Sequence, residues 1–328
     1  MAGRAMAKTK TAGSAAAEPR SASRATKLRA ELPWQPGRLN IKKAWKMYIG
    51  GAFVRSESGR YLQVVETMMP GEKGTRENVP RGSRKDGRDA VVAAHAALPG
   101  WSKRTAANRG QILYRLAEML DARSEELERS LVRAGATFVD ARAEITATIE
   151  RAVAYAGWSD KYQSLFSSLN PVGGPHFDFT LPEPMGVVVV AAPDKPALLG
   201  LVGAVLPIIV SGNVAVVAAS EEDPRTALTL AEVLATSDLP GGVVNILTGH
   251  KKEILPPLAK HMDVHALDLH GVDDALSKEL VEAAADTVKR SRVRSLSADA
   301  WYDLEACTTP LWIERFVEMK TIWHPSGS

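Results

Sequence analysis

Cysteine is almost missing from this 328-residue sequence, in which Cys307 stands alone. A single thiol excludes an intramolecular disulfide framework and leads to the expectation of a reducing, cytoplasmic setting. Long apolar runs are missing too. None reaches the roughly 20 residues of a membrane-spanning helix, so no membrane association is expected. The early basic residues are not followed by an apolar stretch, and no secretory signal is read. Acidic residues are scarce at the start. Residues 1–45 hold ten Lys or Arg against Glu18 and Glu31 only, about +8, whereas the whole chain is +3. The remainder is therefore mildly acidic, at about −5.

These early cations lie in "MAGRAMAKTKTAGSAAAEPRSASRATKLRAELPWQPG", which is too poor in large apolar residues to fold alone. Residues 1–40 are expected to form a disordered basic tail, although a transit peptide has a similar composition. A nucleic-acid domain would carry its basic residues on a folded face, so no nucleic-acid partner is expected.

The rest can build a large core: 45% of the residues are hydrophobic. "KMYIGGAFVRSESGRYLQVV" reads as a hairpin-like entry, turning at Gly50-Gly51 and Ser58-Gly59. Amphipathic helices follow. The first is capped by Ser83 or Asp86, presents Val91, Val92, His95 and Ala96 and ends at Gly100. The next spans about 105–123, a third starts near Ser124, and a fourth runs from about 140 to 165 with Ile145, Ile149, Val153 and Ala156 on one stripe.

After "NPVGGP" the period changes. "HFDFTLPEP" alternates like a strand exposed on one face. "GVVVVAAP", "VAVVAAS", "VVNILTG" and "VHALDLHG" are apolar like strands covered on both faces. Helices at 197–210, 225–237, 251–261 and 274–289 separate and follow them. Strand–helix alternation with short turns predicts an α/β fold with a doubly wound parallel sheet. Ligands of such sheets bind beyond the carboxyl ends of the strands, here at 193–196, 219–222, 248–250 and 270–272. Past Arg290 the pattern dissolves, until "KTIW" suggests a closing strand.

The chemistry-bearing residues give few leads. G-x-G-x-x-G is absent after the first buried strand; the turn reads Ala191-Ala192-Pro193-Asp194-Lys195-Pro196, with Asp194 and Lys195 an ion pair by sequence. His261, His265 and His270 lack the H-E-x-x-H arrangement, because Met262 stands where the glutamate belongs, and no metal is expected. Cys307 has Glu305 nearby, which would raise its pKa, so it is read first as structural and only then as a nucleophile.

"MYIGGAFVRSESGR", "GWSKRTAANRGQILYRLAEML", "VAYAGWSDK", "EPMGVVVVAAP", "SGNVAVV", "SEEDPRTALTLAEVL" and "LPGGVVNILTG" together, over about residues 44–272, resemble the cofactor half of the aldehyde dehydrogenase superfamily. "IERFVEMKTIWHPSG" resembles its last, oligomerisation strand. The resemblance implies a cofactor-type domain with N-terminal helices and a small oligomerisation β-arm. The expected divisions are the tail to 40, a helical part at 41–170, an oligomerisation strand at 171–185, a Rossmann-like core at 186–291, an irregular linker at 292–309 and a terminal strand at 310–328.

Departures from the family pattern carry the functional expectation. Lys195 stands where the family has the asparagine of the oxyanion hole. The Lys-Pro-Ser-Glu turn that holds the ribose reads Ala218-Ala219-Ser220-Glu221. The Phe-Thr-Gly-Ser turn reads Leu269-His270-Gly271-Val272. "RSRVRSLS" occupies the place of the Glu-Leu-Gly-Gly general base, near residue 294, and the catalytic domain with its Gly-Gln-x-Cys nucleophile is missing. The resemblance is nearest to the truncated second unit of two-unit, family-sixteen aldehyde dehydrogenases. It implies no catalytic residues; vestigial cofactor positions at Pro193, Ser220, Glu221, Gly249 and Gly271; and no bound cofactor, with NAD or NADP as the alternative. The expected role is a non-catalytic subunit. Its partner would be a full-length aldehyde dehydrogenase, or a second copy, met through strands near His176–Leu181 and Arg315–Trp323. Two alternatives stand beside it: an NAD(P)-dependent oxidoreductase using Cys307, and a nucleotide-sensing module.

Overall fold

The computed structural model describes residues 42–65 and 76–326; the basic tail expected at 1–40 lies outside them. The hairpin entry is present. β1 (Met47–Ile49) and β2 (Ala52–Val54) pair antiparallel, Met47 opposite Val54. Gly50 and Gly51 turn between them with φ of 63° and 84°, the left-handed pair that a two-residue hairpin requires and that glycine adopts without strain. β1 continues into the main sheet through Tyr48 opposite Ile246. β3 (Tyr61–Val65) and β4 (Arg76–Pro80) form a separate ribbon.

Four helices follow: α1 (Arg84–Ser102), α2 (Ala106–Ala122), α3 (Ser124–Arg133) and α4 (Phe138–Trp158). Ser83 and Asp86 both cap α1, as a reciprocal capping box. Its buried face differs from the sequence reading. Ala90, Val91 and Ala94 are buried with Trp101, whereas Val92 and His95 face outward, and the helix passes through Gly100. In α4 the buried stripe is also polar, with Glu144, Thr148 and Arg151 beside Ile145, Ala152 and Tyr155. Apolar periodicity could not find it, because Glu144 and Arg151 make their contacts with residues distant in sequence, the amides of Leu198 and Leu199 and the carbonyl of Trp301. The expected helix to 165 is interrupted, resuming as α5 (Tyr162–Phe166).

The core sheet has the strand order β11-β10-β7-β8-β9-β1-β2. β7 (Val187–Ala191), β8 (Val214–Ala218), β9 (Val244–Leu247) and β10 (Ala266–Leu269) are buried throughout and parallel, as their unbroken apolar sequences require. β11 (Arg290–Val293) adds a fifth parallel strand where the sequence pattern had dissolved; as an edge strand it needs no continuous apolar run. α6 (Ala197–Val210) and α7 (Pro224–Leu234) pack with α2, α3 and α4 in one layer. α8 (Lys251–Ala259) and α9 (Asp274–Ala285) pack with α1 in the other.

A second sheet, β12-β6-β5, joins β6 (His176–Pro184) to β5 (Ser168–Asn170) and β12 (Val317–Pro325). The β6–β12 pairing is antiparallel along nine residues, from Val317 opposite Pro184 to Pro325 opposite His176. Between β11 and β12 the chain forms a single 3-10 turn at Asp299–Tyr302 and two short helices, α10 (Leu304–Cys307) and α11 (Leu311–Glu314). Trp301, Cys307, Trp312 and Ile313 of this segment are buried, so it is a packed cap on the core.

Candidate functional site: the crevice at the sheet switch point

β7 and β10 are neighbours, and the connections leave them in opposite directions, β7 to β8 on one side and β10 to β11 on the other. Between two such strands a doubly wound sheet opens its ligand crevice, beyond the carboxyl ends. Those ends are residues 192–195 and 270–272.

A lysine ammonium sits between them. Lys251, the first residue of α8, is 2% exposed. Its Nζ donates to the carbonyl oxygens of Ala192 (2.8 Å) and Gly271 (2.7 Å) and to Asp194 Oδ1 (3.2 Å). Three donors meet three acceptors, so the buried ammonium is fully satisfied. Gly271 is required there: a Cβ at that position would collide with Ala192 O and Lys251 Nζ.

Asp194 and Lys195 do not pair with each other, contrary to the sequence expectation. Consecutive side chains diverge, and each finds a different element. Asp194 Oδ1 also accepts from the Glu221 amide (2.8 Å), while Lys195 turns outward to Glu222 Oε2 (3.1 Å), both exposed. The Glu221 carboxylate is occupied on both oxygens. Oε1 accepts from the Lys251 amide (2.7 Å), and Oε2 lies 3.1 Å from His250 Nδ1. Ser220 is buried and its Oγ accepts from the Asp223 amide (3.3 Å) at the start of α7. Pro193 packs on Gly200, where any Cβ would strike its ring. Gly249 has φ 144°, a region that side-chain-bearing residues avoid. The structure thus brings Pro193, Glu221 and Gly271 to Lys251, whereas Ser220 and Gly249 make their contacts elsewhere, with Asp223 and with Gly82 and Ile254.

Cys307 belongs to the cap. It is 2% exposed, and its Sγ contacts Ala300 O at 3.4 Å. Burial pushes its thiol up, with Arg151 beside it pulling the other way and losing; an active nucleophile needs the opposite balance. Arg294 directly follows β11. Its Nε lies 3.3 Å from the buried Asp268 Oδ1, and its guanidinium stacks 3.9 Å above the Trp312 ring. Asp268 Oδ2 meets His270 Nε2 at 2.9 Å, and the His270 ring lies parallel to Trp312 and 5.0 Å from Trp301. His261 accepts from the Asp263 amide and His265 from that of Val187. Among the described residues no three His, Cys, Asp or Glu side chains are grouped to hold a metal.

Sequence reasoning missed Lys251, Glu144, Arg151 and the Asp268–Arg294 pair. One signal was available for Lys251: a lysine at the first position of a helix opposes the helix dipole and therefore needs a specific partner. Asp268 also carried one, as an acid inside a strand read as covered on both faces, whereas Glu144, Arg151 and Arg294 read as ordinary surface charges.

The sequence profile described as the aldehyde dehydrogenase family matches residues 53–300. The chain belongs to the aldehyde dehydrogenase family. It is 29% identical over 259 residues to cytosolic 10-formyltetrahydrofolate dehydrogenase of Mus musculus, covering 77% of this chain and 28% of that protein. It is 28% identical over 252 residues to omega-crystallin of Enteroctopus dofleini, covering 76% and 50%. Among solved structures, PnpE from Pseudomonas sp. WBC-3 superposes with a TM-score of 0.72 at 28% identity, over 77% of this chain and 51% of that one. PnpE has also been solved in complex with nicotinamide adenine dinucleotide at the same TM-score. The chain therefore has the NAD-binding fold of this family and spans between about a quarter and a half of the length of these relatives.

Proposed function

We propose that this chain is a non-catalytic aldehyde dehydrogenase family subunit that acts by pairing with another chain, a full-length family member or a second copy of itself. The observation that carries the reading is the Lys251 ammonium in the switch-point crevice. All three of its donors are committed to two carbonyls and the Asp194 carboxylate, so this ammonium offers a dinucleotide's phosphates no free cation. On this reading the chain works without the family's cofactor. The one sulfhydryl is buried within the cap, where burial raises its pKa and so disfavours the thiolate that a nucleophile requires.

Pairing is supported by the small sheet. Alternation along β6 puts Phe177, Phe179 and Leu181 on one face. Register adds Ile322 and Leu169, both opposite Phe179. Leu169 is 67% exposed and Phe177 51%. A contiguous apolar face of this kind marks an interaction surface, and strand edges on either side can extend the sheet into a partner. Light scattering on the chain purified alone, and on the chain co-expressed with a catalytic family member, tests the reading. A complex in one of the two preparations is expected; a stable monomer in both overturns it.

A further inference from the structure

The small sheet stands on the core through a short root, where β6 ends at Pro184 and β7 begins at Val187. Three side chains hold that root. Asn213 accepts from the Gly186 amide through Oδ1 (2.7 Å) and donates through Nδ2 to Phe316 O (2.6 Å), just before β12. Arg290 donates to the carbonyls of Arg315 (3.1 Å) and Val317 (2.9 Å) and pairs with Glu318 (3.0 Å). His265 accepts from the Val187 amide through Nδ1 (3.1 Å), while its own amide donates to Val187 O (2.9 Å). The imidazole lies against Gly186, where a Cβ would come within 2.6 Å of Nδ1. Gly186 also has φ 132°, so only glycine fits between ring and strand.

Of these three side chains only His265 titrates near neutrality. Nδ1 accepts only while it is unprotonated, so the neutral ring carries its proton on Nε2. In the imidazolium both nitrogens donate, and an Nδ1–H would face the Val187 N–H. The surroundings hold the ring neutral. Burial disfavours its charge most. His95 of α1 and Lys289, before β11, add like charge; Asp263, before β10, opposes them and is outweighed. The residue is only half-buried, so solvent protons reach it.

We propose that His265 is a proton-sensitive latch for the small sheet: in mild acid a proton from water enters at Nδ1, the hydrogen bond from Val187 is lost, and the root of β6 loosens. The latch belongs to the joint between the two sheets and holds whether or not the chain pairs with a partner. Because the folded protein favours the neutral ring, the contribution of His265 is complete above the ordinary histidine value of 6.5 and is lost as the pH falls below it.

Amide hydrogen exchange of the full chain tests this, read by mass spectrometry on peptides covering residues 184–188 at about pH 7.5 and about pH 5, with the intrinsic pH dependence of exchange corrected from unstructured peptides. Protection is expected to fall about tenfold at the lower pH, the worth of one buried hydrogen bond, while β8 keeps its protection. In His265→Asn, whose Oδ1 can accept from the same amide without titrating, protection should be equal at both. Unchanged protection in the wild type, or an equal fall in the variant, overturns the proposal. Should the variant not fold, the His265 ring resonances of the wild type serve in its place. Their titration midpoint is expected to coincide with the loss of protection, and a separate midpoint overturns the proposal.

Discussion

At the scale of single residues, the decisive feature is a buried cation in a place where a ligand would be expected. Lys251→Met would leave Asp194 and two carbonyl oxygens facing an apolar side chain. Leaving buried carbonyl oxygens unpaired costs about 1–3 kcal/mol, and urea unfolding of the variant should show a loss of that order. Asp268 gives a pH dependence. Burial alone would raise its pKa, but His270 and Arg294 outweigh burial and hold it below the ordinary carboxylate range. A carboxylate depressed in the folded state stabilises above its unfolded value of about 3.8 and loses that contribution as the pH falls through the folded value. Asp268→Asn should therefore cost about 3–5 kcal/mol at neutral pH and flatten the stability curve below about pH 4. Unfolding at a series of pH values reads both effects. Glu144 and Asp223 act in the other direction, because burial raises them; their contribution grows as the pH falls through the raised values.

At the scale of elements, the cap and the small sheet carry the unusual content. The cap is held by long-range bonds: Arg151 Nη2 to Trp301 O (2.7 Å), the Tyr155 hydroxyl to Cys307 O (3.0 Å) and Trp158 Nε1 to Thr308 O (2.7 Å). Trp301, 1% exposed, packs against Gly203 of α6, where a Cβ would lie 3.0 Å from both Trp301 and Arg151. Trp301→Ala should cost about 3–5 kcal/mol and expose residues 294–316 to proteolysis, seen as early cleavage on a gel. On the small sheet, Leu169→Glu with Phe177→Glu places charge on the apolar face. Light scattering should then report a lighter species than the wild type, with an unchanged far-ultraviolet spectrum. These elements differ in how legible they were. The core strands announced themselves, because strands covered on both faces must be apolar throughout. β11 and the cap did not, because an edge strand and three short turns have no period to read. The capping of α1 was visible in Ser83 and Asp86, yet its buried face was not, since Ala and Val fall on more than one stripe.

At the scale of the whole molecule, the fold and the family agree, and the proposal turns on the crevice. If the crevice is closed to a dinucleotide, NAD in the millimolar range should leave the melting temperature of the full chain unchanged. A ligand at a hundred times its dissociation constant would add about 2.7 kcal/mol to stability, a shift that thermal unfolding detects easily.

The sequence by itself determined the strand–helix order, the parallel core, the closing strand and the family, because each is written in local period, turn residues and contiguous motifs. It also marked the turns beyond the strand ends, at 193–196, 219–222, 248–250 and 270–272. Which groups meet across those turns was decided only by the tertiary structure. Asp194 takes Lys251, from the other side of the crevice, in place of its neighbour Lys195; Glu144 caps a helix more than fifty residues away; Arg294 lies over Trp312 and beside Asp268. Pairing of charges across a fold depends on distance in space and on burial, and a linear pattern encodes neither.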